Sequence, residues 1–220
     1  MTTRQAYDDE LRELSDSLIR MGAAATSAVD KAITALLTGD KALARKVIED
    51  DNLIDHMERT IEQRCLHLLL RQQPVAGDLR DIGAAIKMIT DIERIGDAAS
   101  DISEISLQLD SPPFSDIEED LQSMAAAARD MASSAIESYV KGDLELANRT
   151  RARDDIVDDY FLKIRGVLGD KMRSHAEIME AAIDYLMIIK YLERVGDHAE
   201  NLCEWVEFDK TGVHKREKIL

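Results

Sequence analysis

Apolar residues return along this chain with the period of a helix, not of a strand. Six stretches carry such a stripe, near residues 8–38, 40–71, 76–109, 115–141, 143–173 and 176–208. In the third, Met88, Ile92, Ile95, Ala99 and Ile102 recur at steps of three and four; in the sixth, Ile188, Leu192, Val195, Ala199 and Leu202 repeat that order. The stripes predict six long rods, each of about 40 to 50 Å at the rise of an α-helix. Gly39-Asp40 and Gly142-Asp143 read as glycine stops followed by acidic N-caps. Ser115-x-x-Glu118 and Ser174-x-x-Glu177 have the form of capping boxes. Pro112 and Pro113, in LDSPPFSD, divide the chain near its middle. Short connections make neighbouring rods antiparallel. The expected fold is all-α, a tandem repeat of two antiparallel three-helix bundles spanning residues 1–111 and 112–220.

The second half restates the first. LTGDKALARKVIEDDNLID (37–55) aligns with YVKGDLELANRTRARDDIVDD (139–159), and ITDIERIGD (89–97) with IKYLERVGD (189–197). The last pair places a glycine inside a helix, at a cost of about 0.8 to 1 kcal/mol relative to alanine, and adds acids four apart that repel each other. Register gives these penalties a purpose. Asp51 and Asp97 are equidistant from Pro74, as are Asp55 and Glu93, so an antiparallel hairpin turning there holds all four carboxylates at one height. Asp154 and Asp197, and likewise Asp158 and Glu193, share a centre at Ser174-His175-Ala176. Glu93 and Asp97 fall one residue past the buried stripe, at the rim of the groove between the second and third rods.

Four gathered carboxylates repel unless they are protonated or neutralised, and a multivalent cation with oxygen ligands relieves that strain. With no Cys and no His common to both sets, the donors suit a hard ion such as iron(III), manganese or magnesium, and zinc less well. On this reading Gly96 and Gly196 leave room beside the ligands. Asp101 and Asn201, one turn farther along, are further candidates, and His198 is a surface histidine because its counterpart is Ala98. The competing reading is a solvated acidic face with Arg94 and Arg194 nearby, the glycines serving only helix approach.

Composition narrows the function. The net charge of −16, from 44 acids against 28 bases, repels nucleic acid and small anions over most of the surface. The basic tail, DKTGVHKREKIL, is expected to be frayed. There is no basic, apolar leader and no run of 18 apolar residues to span a membrane, and Cys65 and Cys203 stand alone as small buried hydrophobes, all of which point to the cytoplasm. No P-loop, nucleophile elbow or Glu-x-x-His occurs, so catalysis is not expected. A metal-free helical adaptor and a carboxylate-bridged metalloenzyme are the rival readings.

QQPVAGDLRDIGAAIKMITDIERIGD (72–97) and YLERVGDHAENLCE (191–204) resemble the PhoU family, bacterial accessory and regulatory proteins of phosphate transport, and the resemblance runs through the duplicated layout. It implies a negative regulator of phosphate uptake and starvation signalling, acting on the ATPase of the Pst ABC transporter and on a membrane sensor histidine kinase. It also implies self-association as a homodimer, and metal ions, iron foremost and zinc as well, held by Asp51, Asp55, Glu93, Asp97, Asp154, Asp158, Glu193 and Asp197.

Overall fold

The computed structural model describes residues 3–72, 76–109, 114–215 and 217–218. The turn at Pro74 and the divide at Pro112-Pro113 lie outside the described residues. Helices α1 (Thr3–Thr38), α2 (Lys41–Gln72) and α3 (Ala76–Gln108) form the first half; α4 (Glu118–Lys141), α5 (Leu144–Arg151), α6 (Asp154–Ser174) and α7 (Met179–Thr211) form the second. A 3-10 turn, Ala176–Ile178, precedes α7, and strands β1 (Val213–His214) and β2 (Glu217–Lys218) pair antiparallel after it. Among the described residues no helix is long and apolar enough to cross a membrane.

The periodicity places the core correctly. Every residue of the two quoted stripes is buried, as are Cys65 and Cys203. Within each half the helices pack on one another, and α3 against α7 and α1 against α4 join the halves. One continuous apolar core therefore runs through both. On α3 and α7, Asp91 meets Asn201 at one end and Tyr191 meets Asp101 at the other, so the two helices cross antiparallel with Gly96 and Gly196 at a common level.

The glycine stops form as expected. Gly39 and Gly142 take the left-handed conformation, at φ 66° and 63°. The Asp40 carboxylate accepts from the amides of Ala42 and Leu43, and that of Asp143 from Leu146. Neither serine capping box forms. A turn delays α4 to Glu118, behind Ile117, which offers no side-chain cap. Ser174 ends α6, and its hydroxyl is spent on the Asp170 carbonyl at 3.0 Å.

The fifth rod is broken. At Ala152-Arg153 the bonds Arg153 N to Thr150 O and Ile156 N to Arg153 O, each 3.0 Å, replace the α-helical spacing. Arg151, the last residue of α5, faces Glu200, Glu204 and Glu207 of α7 at 3.6, 3.6 and 3.4 Å. The described residues of the tail form a hairpin rather than a frayed end, with His214 stacked on Trp205 at 3.9 Å.

Away from the acidic motifs, α3 and α7 share an acid pair, a half-buried Asp81 and a buried Asp209. Asp209 is 3% exposed, and its Oδ2 lies 2.6 Å from Lys210 Nζ. Its Oδ1 has no hydrogen-bond donor unless Asp81 carries a proton. Burial, with the hydrogen bond to Asp209 and its charge, holds the Asp81 carboxyl well above its ordinary range. The folded chain thus binds this proton more tightly than the unfolded one, so its contribution is complete below about pH 4 and is lost as pH rises through about 7. Asp81→Asn, a permanent donor to Asp209, is expected to exceed the wild type in stability by about 1 to 3 kcal/mol at pH 8 and to match it near pH 4. Thermal melts at both values check this; parallel pH profiles for the two proteins would exclude a shared proton.

Candidate metal centre

The first predicted set comes together between α2 and α3. Asp55, Glu93 and Asp97 each offer a carboxylate oxygen within 4.8 Å of the other two. Asp51 stands beside them, one turn earlier on α2, its charge felt from Asp97 and Asp55 and its carboxylate hydrogen-bonded to Ser100. All four are half-buried at the rim of the groove. Burial first, then the Asp97 and Asp55 charges, pushes Asp51 up to about 6. Burial and Asp97 push Glu93 up to about 7, against the pull of Arg94.

Two arginines currently balance the charge. Arg94 lies 2.7 Å from Asp97 and 3.4 Å from Glu93, and Arg59 lies 3.1 Å from Asp55. The Arg94 contact to Glu93 is an ion pair without hydrogen-bond geometry, leaving the buried Oε2 of Glu93 with no donor. An undonated, buried carboxylate oxygen in an all-oxygen group fits a hard cation. Asp51, Asp55, Glu93 and Asp97 would hold it, and Arg94, 48% exposed, is free to swing outward.

The second set is looser. Asp154 opens α6, where its charge also suits the helix N-terminus. Burial, then Asp158, Glu200 and Asp197, raises it to about 6. Burial and Glu193 raise Asp197. Yet among the described residues no three acids of this set approach as closely as those of the first. The cause is local: Lys190, where the first half has Thr90, holds the Glu193 carboxylate and sits over the Phe161 ring at 5.8 Å.

The glycines do not leave open space. A Cβ on Gly96 would lie 2.8 Å from Ile54 Cδ1 and 3.3 Å from Asp51 Oδ1. On Gly196 it would lie 3.0 Å from Asp154 Oδ1 and 3.4 Å from Val157 Cγ1. Both glycines let an aspartate and its helix press against bare backbone. His198 is not a surface residue: its Nδ1 lies 2.9 Å from Asp91 Oδ1 across the halves, and Asn201 Nδ2 lies 3.3 Å from the same oxygen. Asp101 is engaged by Tyr191. Sequence reasoning missed Ser100, which binds Asp51, and its counterpart Glu200, which bears on Asp154. Their position, three residues beyond Asp97 and Asp197 on the same helical face, was the available signal.

The family model of the PhoU domain matches this chain twice, at residues 18–106 and 121–206. The phosphate-specific transport system accessory protein PhoU homolog of Clostridium acetobutylicum is 34% identical over 96% of both chains. PhoU homolog 1 of Thermotoga maritima, described in the same words, is 34% identical over 96% of this chain and 91% of its own. The crystal structure of PhoU from Pseudomonas aeruginosa superposes with a TM-score of 0.89 at 30% identity, covering 94% of this chain and 100% of that one. These relatives are described as accessory proteins, and that of Streptococcus pneumoniae, similar at a TM-score of 0.88, as a regulatory protein; none is described as an enzyme. With the family's domain matched in both halves and likeness running nearly end to end, this chain belongs to the PhoU family.

Proposed function

We propose that this protein is a non-catalytic regulator of phosphate-specific transport, restraining the ATPase of the ABC transporter and the signalling of a sensor histidine kinase from the cytoplasmic side. The observation that carries this reading is its near full-length likeness to accessory proteins of that transport system. Residues 1–111 and 112–220 act as two related bundles that together present one surface, and two copies associate as a homodimer. The eight carboxylates Asp51, Asp55, Glu93, Asp97, Asp154, Asp158, Glu193 and Asp197 hold metal ions, iron before zinc, manganese or magnesium. The bound charge joins α2 to α3 and α6 to α7, which keeps each groove rigid.

A second reading draws on Arg59 and Arg94, which already sit on the first cluster. Guanidinium groups of a partner segment would take their place, making the groove a metal-free dock for a basic peptide. Pull-down from membranes containing transporter and kinase tests regulation itself: retention of one or both that varies with phosphate is expected. Absence of retention at every phosphate concentration would overturn it.

A further inference from the structure

The C-terminal hairpin roofs a pocket of about 240 Å³ between α3 and α7. Lys87 and Thr90 reach it from α3, Trp205 from α7, and His214 and Lys215 from the hairpin. Lys87 is exposed and has no ion-pair partner among the described residues, although acids outnumber bases heavily in this chain. His214 Nδ1 is buried with no hydrogen-bond partner, and the ring is fixed by its stack on Trp205, tilted by only 11°. Asp91 lines the same pocket, but its Oδ1 is taken by His198 and Asn201.

Lys215 supplies a separate observation. It holds φ at +48°, a left-handed conformation in which a residue other than glycine, asparagine or aspartate is uncommon. It is the first residue after β1 in a tight hairpin, a position that favours Asn or Gly. A lysine stands there, and its Nζ forms an ion pair with Glu204 at 3.4 Å. On the related face one hundred residues away, Met187, Tyr191, Asp101 and Ile105 stand where Lys87, Asp91, Asn201 and Trp205 stand here. The other face has Lys190 in place of Thr90, but that ammonium is spent on Glu193, whereas Lys87 here is unpaired among the described residues.

We propose that the pocket binds a phosphate group, either inorganic phosphate or the terminal group of a small phosphate monoester. Two ammonium groups and an unpartnered imidazole nitrogen approach from two elements, α3 and the hairpin, beside the Thr90 hydroxyl, which donates to Glu58 at 3.3 Å; this suits a tetrahedral anion with several acceptor oxygens better than a planar carboxylate with two. The net charge still repels anions elsewhere on the surface, and the pocket is a local exception to it. None of the residues lining the pocket is among the eight proposed metal ligands, so success or failure here leaves the regulatory and metal readings untouched.

Trp205 is the chain's one tryptophan and lines the pocket, so its emission reads occupancy directly. The full-length protein, freed of metal by a chelator, is titrated with inorganic phosphate and separately with glycerol 3-phosphate. A saturable change in emission is expected with at least one, and whichever saturates at lower concentration identifies the source. Lys87→Ala and Lys215→Asn should each weaken binding at least about tenfold, or 1.4 kcal/mol; asparagine tolerates the positive φ, so the hairpin survives the second change. The proposal falls if neither ligand gives a saturable change up to about 10 mM, where even a millimolar site would fill. It falls equally if both substitutions leave the affinity unaltered.

Discussion

Stripping the metal from loaded protein with a chelator is expected to lower its melting temperature by roughly 5 to 10 °C. A ligand present at a hundred times its Kd adds about 2.7 kcal/mol to folding, and for a chain of this size each kcal/mol moves the midpoint by about 2 to 4 °C. The direction follows from the acids themselves. Asp51 at about 6, Glu93 at about 7 and Asp154 at about 6 all lie above their unfolded values, so the metal-free fold favours their protonated forms. Their contribution to metal-free stability is complete below about pH 4 and is lost as pH rises toward 7. The chelator effect should accordingly be larger at pH 8 than at pH 5. Elemental analysis completes the test. Asp51→Ala and Glu93→Ala are expected to lose metal from the tighter first cluster, and undiminished stoichiometric metal in both variants would overturn the ligand assignment.

Gly96→Val is expected to destabilise the protein by about 1 to 3 kcal/mol, the usual cost of forcing methyl groups into a packed interface. Ile54 and Asp51 occupy the space that the new side chain needs, and displacing Asp51 also disturbs the first cluster. Gly166→Ala is the matched control. That glycine is inside α6 with nothing within 4 Å of an added Cβ, so alanine should stabilise by about 0.5 to 1 kcal/mol through helix propensity alone. Urea denaturation of the two variants measures the contrast. If Gly96→Val proves as stable as the wild type, close approach does not account for that glycine.

The rods, their order and the buried stripes were legible because a 3.6-residue period survives wherever a helix has one wet face, as at Met88 through Ile102. The height of Asp55, Glu93 and Asp97 was legible because antiparallel helices convert distance from a turn into elevation. The break before Asp154 was not. Residues 150–153 contain neither glycine nor proline, and the anchor that holds the bend, Arg151 against three glutamates of α7, lies about fifty residues away in sequence. The unequal tightness of the two clusters hinged on Thr90 against Lys190, a difference that periodicity does not weigh. His198 was misplaced because its partner, Asp91, belongs to the other half and is invisible to a comparison of repeats.

The interruption between α5 and α6 gives the two copies unlike mechanics. Asp51 lies within a single unbroken helix of 32 residues; ahead of Asp154 stand a helix of eight residues and a bend. A helix of eight residues does not persist in water by itself, so α5 owes its shape to docking on α4 and α7, with Ala147 and Thr150 buried and Arg151 facing the glutamates of α7. The second half therefore has a joint beside its carboxylates, able to flex with the rest of the core intact, whereas the first is a beam.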